Sequence, residues 1–429
     1  MIKPALGCPR RGWREGACLL SVCLGSVFLT FVCAVPAFAQ AKPTPPIETP
    51  SSVKLQYGGL DLVPGIVLSG GYDSNVIRVP PPGEVEVTEF FAVPQVEATL
   101  NWGAAKFVGG GSLEFARYPD QSDENFNNNG VDFSVSLPNV PLRPRVFAER
   151  RDANARPEFE IGIRSRRLTK VFGGGIGSPL DASIRFGVEV RHLRTDYAAD
   201  AEYLSTNLRD KLTYDDDSIA GSVAIDITPI TSAIVLGEYI RDRFDYSPER
   251  DADGARYMAG IEFRPPGVFS GYATVGVRTF KAPNAGVDSF SGLVANGLVA
   301  YATERQRLGL GIYRDVSFSY DSSVGYFLAN SLNIDYMRRF GDRWTTYVGA
   351  ELQRLDYTVA DTAAGAGRID KRYIVSGELA FTLTQWTQVG MTVGRDKFDG
   401  DIPWNAVRAT AYLRYGSGRV RRLDRPVPK

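Results

Sequence analysis

Between Val63 and Tyr415 the chain runs as repeated stretches of roughly ten residues in which apolar and polar side chains alternate. A period of two is the side-chain repeat of an extended strand with one apolar and one polar face. Phe90, Ala92, Val96, Ala98, Leu100 and Trp102 fall on one face, opposite Gln95, Glu97, Thr99 and Asn101. Ile184, Phe186, Val188 and Val190 likewise oppose Arg185, Glu189 and Arg191. The pattern predicts about 18 strands, at 63–72, 89–101, 105–118, 129–137, 143–152, 158–172, 181–197, 217–228, 232–244, 256–264, 268–279, 290–300, 306–318, 325–338, 343–357, 371–383, 387–398 and 405–415. Merging segments in the weakly patterned stretch 143–177 gives 16 or 14 instead.

Alternation also suits a soluble two-sheet sandwich, and the connections separate the two. Short ones at 102–105, 138–142, 229–232, 265–268, 341–343 and 384–387 alternate with longer polar ones at 73–88, 119–128, 198–217, 245–255, 280–289 and 358–370. Bacterial barrels alternate periplasmic turns and extracellular loops in this order. The expected fold is all-β, a closed antiparallel transmembrane β-barrel with both termini in the periplasm. Closure is demanded because an open strand edge in hydrocarbon leaves backbone groups unpaired. Trp102, Trp344, Trp386 and Trp404 stand at predicted strand ends, where an aromatic girdle meets lipid headgroups.

The N-terminus sets the compartment. Lys3, Arg10, Arg11 and Arg14 precede an uncharged apolar run, Ala17 to Val35, and Ala37-Phe38-Ala39 precedes Gln40. This is the layout of an export signal cut after Ala39, although the run also approaches the roughly 17 residues of an uncleaved anchor. No other apolar run of that length exists, which excludes a helical inner-membrane protein. Cys8, Cys18, Cys23 and Cys33 all lie within the signal, so disulfides, thiolate metal sites and cysteine nucleophiles leave with it. Val22 and Val32, preceding Cys23 and Cys33, argue against lipidation. The expected organisation is a signal at 1–39, a Pro-rich periplasmic leader at 40–62, the barrel at 63–415 and a basic tail at 416–429.

Removing residues 1–39 takes away four basic and one acidic side chain, leaving 45 against 48 and a net charge of −3. Nucleic acid, which calls for a basic excess, is not an expected partner. The expected inward, pore-lining residues are Gln95, Glu97, Glu114, Arg185, Glu189, Arg191, Arg278, Glu351, Arg372, Glu378, Arg408 and Arg414. Their signs are mixed, which suits a hydrophilic lining and a network that satisfies buried charge equally well. Tyr272 and Tyr412 also point inward, where such rings stack on sugars or simply pack.

Catalysis finds little support. The single histidine, His192, ends the seventh strand near Asp196 and Ser205, the material of a rim hydrolase, yet no G-x-S-x-G elbow accompanies it. Asp215-Asp216-Asp217 and the 251–254 segment lack the ligand spacing of a Ca²⁺ loop and read as solvated turns. Gly109-Gly110-Gly111 and Gly173-Gly174-Gly175 lack the Lys-Ser/Thr of a phosphate loop and read as bends in the wall. No metal or cofactor is expected.

The segment Gly70-Gly71-Tyr72-Asp73-Ser74-Asn75-Val76-Ile77-Arg78, with barrel strands running to a last strand at 405–415, resembles the putative β-barrel porin 2 family of proteobacterial outer-membrane proteins. That resemblance implies a porin-like channel that accompanies exopolysaccharide synthesis and export, and it offers no catalytic residues. The expected partners are outer-membrane lipid and lipopolysaccharide, the barrel-assembly machinery and polysaccharide-export components. The expected function is a passive conduit for exopolysaccharide or other polar solutes. A non-conducting barrel with a structural or loop-mediated binding role is the alternative.

Overall fold

The structure, a computed structural model, describes residues 52–156, 160–179, 182–264, 267–281, 289–321, 325–357 and 368–416. The expected signal, most of the leader before residue 52 and the tail beyond residue 416 lie outside the described residues.

Eighteen long strands form the wall. They are β1 (Leu60–Asp73), β2 (Val87–Trp102), β3 (Ala105–Arg117), β4 (Phe126–Ser136), β5 (Arg145–Ala155) and β6 (Ser165–Gly177). Next come β7 (Ile184–Tyr197), β8 (Tyr214–Thr228), β9 (Thr231–Phe244), β10 (Ala252–Phe263), β11 (Phe269–Lys281) and β12 (Phe290–Ala302). The last six are β13 (Gln306–Phe318), β14 (Tyr326–Phe340), β15 (Trp344–Asp356), β16 (Ile369–Thr384), β17 (Thr387–Asp399) and β18 (Trp404–Tyr415). Each pairs antiparallel with its chain neighbours, and β1 pairs with β18 from Ile66↔Tyr415 to Asp73↔Arg408, so the sheet closes on itself.

The predicted strands match the observed ones to within four residues at each end except at β6, expected at 158–172 and found at Ser165–Gly177. Glu160 and Ile161 sit instead in the β5–β6 loop and are buried there, so their apolar neighbours serve a cluster inside the barrel rather than a wall face.

The wall is inverted relative to a soluble core. On β7, Ile184, Phe186, Val188 and Val190 are exposed on the outside, whereas Arg185 is 2% exposed on the inside. The same division holds on β8, where Ile219, Val223, Ile225 and Ile227 are exposed and Ala220 and Ala224 are buried. A surface of exposed aliphatic side chains over a buried polar lining is stable only against lipid.

At the short-turn end the outer face carries aromatic contacts: Trp102–Phe107 at 6.4 Å, Phe107–Phe133 at 6.1 Å, Phe269–Tyr301 at 5.4 Å and Trp344–Phe381 at 4.8 Å. Trp102, Trp344 and Trp386 are exposed there. Trp404 is not. The odd-numbered Val407, Leu413 and Tyr415 of β18 face out, so the even-numbered Trp404 faces in; it is 6% exposed and stacks on Phe398 at 6.0 Å.

The β1–β18 seam has its own fittings. Below Ile66 the last strand has ended, and the strand Leu55–Tyr57 folds back across Gly58-Gly59 to pair with Leu60–Leu62 on that edge. At the other end the Gly70–Arg78 segment forms a clasp. Asp73 accepts hydrogen bonds from Arg78 Nη1 (2.7 Å), Arg78 Nη2 (3.0 Å) and the Asn75 amide (3.0 Å). Asn75 donates across the seam to the Asn405 carbonyl (3.2 Å), and the Val407 amide donates to Ser74 Oγ (2.8 Å).

Two outcomes follow. Val235, outside and 59% exposed, replaced by Arg should destabilise the barrel by about 2–4 kcal/mol in urea unfolding from lipid vesicles; no loss would contradict a lipid-facing wall. Asp73→Ala, which strands the buried Arg78, should cost about 3–5 kcal/mol in the same assay, and a neutral effect would remove the clasp from the account of closure.

Candidate functional site

The inner face is built from the polar half of each strand, and ion pairs and hydrogen bonds hold most of its side chains. Arg185 donates to Glu262 (2.6 Å) and to Ser232 (2.8 Å). Arg278 and Arg256 share Asp315, at 2.9 and 2.7 Å. Arg372 forks onto Asp396 (2.9 and 2.7 Å), Arg408 onto the buried Glu89 (2.9 Å), and Arg414 donates to Gln388 (3.1 Å). Glu351 accepts from Ser331 and Gln353, Glu378 from the Tyr412 hydroxyl and Glu114 from Asn128. Arg191 lies 3.5 Å from Asp216. Gln95, Glu97 and Glu189 share this face, so all twelve candidate lining residues point inward by strand register. Cations and anions are interleaved around the wall, and no ring of one sign forms among them.

Inward aromatic rings are laid flat. A side chain at Gly390 would meet the Tyr412 ring at 2.6 Å, and one at Gly349 would meet Tyr347 at 2.4 Å. Gly173 likewise gives its space to the Phe147 ring, at 2.6 Å, so this glycine run makes room for an inward ring. Tyr272 turns its hydroxyl to Asn296 at 3.3 Å.

The long-loop end is filled. The β13–β14 hairpin outruns its neighbours: β13 parts from β12 after Ala295↔Arg314, yet stays paired with β14 to Phe318↔Tyr326. Tyr326, Phe327, Leu328 and Ala329 are four consecutive buried residues, which a wall strand between lipid and lumen cannot provide. The described outer end of the hairpin, 316–321 and 325–329, therefore lies within the barrel. One side meets Tyr214, Phe244, Phe280 and Phe290, with Phe244–Phe318 at 4.8 Å and Phe280–Tyr326 at 4.9 Å. The other meets Leu355, Tyr357, Phe398 and Trp404, with Phe327–Tyr357 at 5.2 Å.

Neighbouring loops fasten the tip. Arg250, 2% exposed, donates to the carbonyls of Gly325 (2.8 Å), Ser319 and Lys211 (2.9 Å). Glu160 accepts from Ser319 Oγ (2.7 Å) and the Tyr320 amide (3.0 Å), joining the β5–β6 loop to the tip. Burial pushes the Glu160 carboxyl up to about 7 against the pull of those bonds. Tyr203 packs on Tyr320 at 4.9 Å, beside the short helix α1 (Leu208–Leu212).

Sequence reading missed this mouth. Its one signal was the apolar run 326–329, which breaks the period of two. The rim histidine lies elsewhere: His192 is on the outer face, its Nδ1 2.8 Å from Asp217 and its Nε2 3.7 Å from Asp215. Ser205 sits in the turn between Glu202–Tyr203 and Thr206–Asn207, and Asp196 pairs with Arg194, so the three do not assemble. Asp215, Asp216 and Asp217 lie within β8 rather than in a solvated turn, and their alternation sends Asp216 inward and its neighbours outward. Asp253 and Gly254 belong to β10, where Asp253 pairs with Arg243 at 2.7 Å. Among the described residues no acidic or histidine group gathers as a metal site.

Compared with solved structures, the chain is similar to the outer membrane protein opdK from Pseudomonas aeruginosa: 12% identity, TM-score 0.46, covering 83% of this chain and 98% of that one. A BenF-like porin from Pseudomonas fluorescens Pf-5 gives 11% identity and a TM-score of 0.47, with 83% and 99% covered. Pseudomonas aeruginosa OpdQ gives 10% and 0.44, with 82% and 97% covered. No curated protein matches the chain. The family model described as Putative beta-barrel porin 2 matches residues 52–413, and the chain belongs to that family of porin-like outer-membrane β-barrels.

Proposed function

We propose that this barrel is a passive, non-catalytic conduit for polar solutes across the outer membrane, oligosaccharide and exopolysaccharide among them. Its long loops face outward, and both termini are periplasmic. The observation that carries this reading is the lumen itself. Strand after strand turns charged, amide and hydroxyl groups inward, and the bulky rings there are laid flat over glycine. A purely structural barrel could fill the same face with apolar side chains. In that arrangement the inserted hairpin is the resistance at the outer mouth.

The packed mouth also favours a second reading, a closed barrel whose loops act as a structural or binding surface. Planar-bilayer recordings separate the two. Replacing 316–327 by a short Gly-Ser turn should raise single-channel conductance several-fold over the intact chain; silence from both forms would leave only the closed barrel.

Glu160 adds a pH dependence with a definite sign. Its carboxyl titrates near 7 in the packed mouth and near its ordinary 4.5 once released. The closed mouth therefore keeps its full stability below about pH 4.5 and loses it as pH rises to about 7, by at most about tenfold per pH unit. Opening events should climb across that window and level off above it, and E160Q should flatten the profile. A wild-type profile that is already flat would remove Glu160 as the fastening.

A further inference from the structure

We propose that the outer mouth contains an anion-binding site centred on Arg156, which takes the carboxylate, sulfate or phosphate group of a solute entering the barrel. The site deepens the conduit reading by naming the solute's charge, and rests on that reading for the route of entry.

Arg156 stands where β5 runs into its loop, and its guanidinium is held by backbone alone. Nε donates to the Gly162 carbonyl (2.6 Å) and Nη2 to the Val76 carbonyl (2.5 Å). Those two bonds fix the plane of the group, and among the described residues Nη1 has no partner. The residue is half-buried, so Nη1 is not sealed from the water of the mouth.

The other guanidinium groups nearby are already matched. Arg78 is bound by Asp73 at 2.7 Å, Arg164 by Glu124 at 3.0 Å and Arg372 by Asp396 at 2.7 Å. Each of these three has a carboxylate of its own, whereas among the described residues Arg156 is bonded only to backbone carbonyls. Burial first, then the charges of Arg78 and Arg164, draw the Arg156 pKa well below its ordinary value, so the cation is held at a cost that a bound anion relieves.

The surroundings hold the Arg156 loop closely. The guanidinium groups of Arg78 (5.4 Å) and Arg372 (5.5 Å) both lie over the Trp404 ring. A side chain at Gly162 would come within 3.2 Å of the indole nitrogen, so glycine there lets the loop carrying the Arg156 acceptor close onto Trp404. Tyr118 lies under Arg164 at 5.1 Å and takes a 2.6 Å hydrogen bond from it. An oxyanion bonded to Nη1 would replace hydration with a charge-assisted hydrogen bond.

The test is calorimetric titration of the full chain in detergent with D-galacturonate, D-galactose, inorganic sulfate and inorganic phosphate. Galacturonate should bind at least about tenfold more tightly than galactose, the scale of one charge–charge contact, and the advantage should vanish in R156Q. Sulfate or phosphate competing with galacturonate shows which oxyanions share the site. Equal binding of the charged and neutral sugars overturns the proposal, as does an unchanged R156Q. If R156Q does not fold, phenylglyoxal labelling of the wild-type chain decides: galacturonate but not galactose should protect Arg156 in peptide mapping, and absence of protection overturns the site. Galacturonate binding without conductance steps would keep the site and sink the conduit, whereas conductance without charge preference would do the reverse.

Discussion

Every other feature of this protein depends on the closing of one hydrogen-bond ladder. In hydrocarbon an unpaired amide or carbonyl costs several kcal/mol, so a sheet with two free edges cannot stay there. β1 and β18, separated by more than three hundred residues, supply the last rungs from Ile66↔Tyr415 to Asp73↔Arg408. The Leu55–Tyr57 hairpin strand covers the edge below that pairing, and the Asp73–Arg78 clasp with its Asn75 and Ser74 bonds secures it above. The residues of this clasp are those that carried the family resemblance in the sequence. Their visible task is mechanical, at the point where an open sheet becomes a tube.

Once the tube is closed, its two faces obey opposite rules. Outside, the alternating positions need only be apolar, and Val, Ile, Leu and Ala serve interchangeably around the circumference. Inside, each charged group must find a partner, because the curved wall brings strands distant in sequence within reach. Arg185 reaches Glu262, and Arg256 and Arg278 converge on Asp315. The interleaving of sign is thus a packing requirement as much as a property of the lumen.

The mouth follows a third rule, that of an ordinary protein core. The tip of the β13–β14 hairpin leaves the wall, and its aromatic side chains find apolar partners among rings that strand register had already turned inward. Polar fastenings from Arg250 and Glu160 then fix its position. Because that core is assembled from side chains at the outer ends of strands rather than from the backbone ladder, it can differ in stability from the ladder beneath it. On the proposed conduit reading, this separation would let a rigid barrel carry a changeable entrance.

By itself the sequence determined the fold class, nearly all the strands and the face of most side chains on them, because a period of two is local and is enforced at every step by lipid on one side. It therefore placed Arg185, Glu351 and Arg414 on the inner wall by counting alone. It misplaced β6 because Ile161 and Ile163 are apolar side chains whose partners lie in other loops. It misread Trp404 because a strand-end tryptophan looks the same whether it faces headgroups or lumen. Only the tertiary structure decided which inward residues meet, that the 326–329 run enters the barrel, and that among the described residues Arg156 is left with backbone acceptors alone. Those outcomes depend on contacts across the tube and between loops, whose distances no periodicity along a single chain encodes.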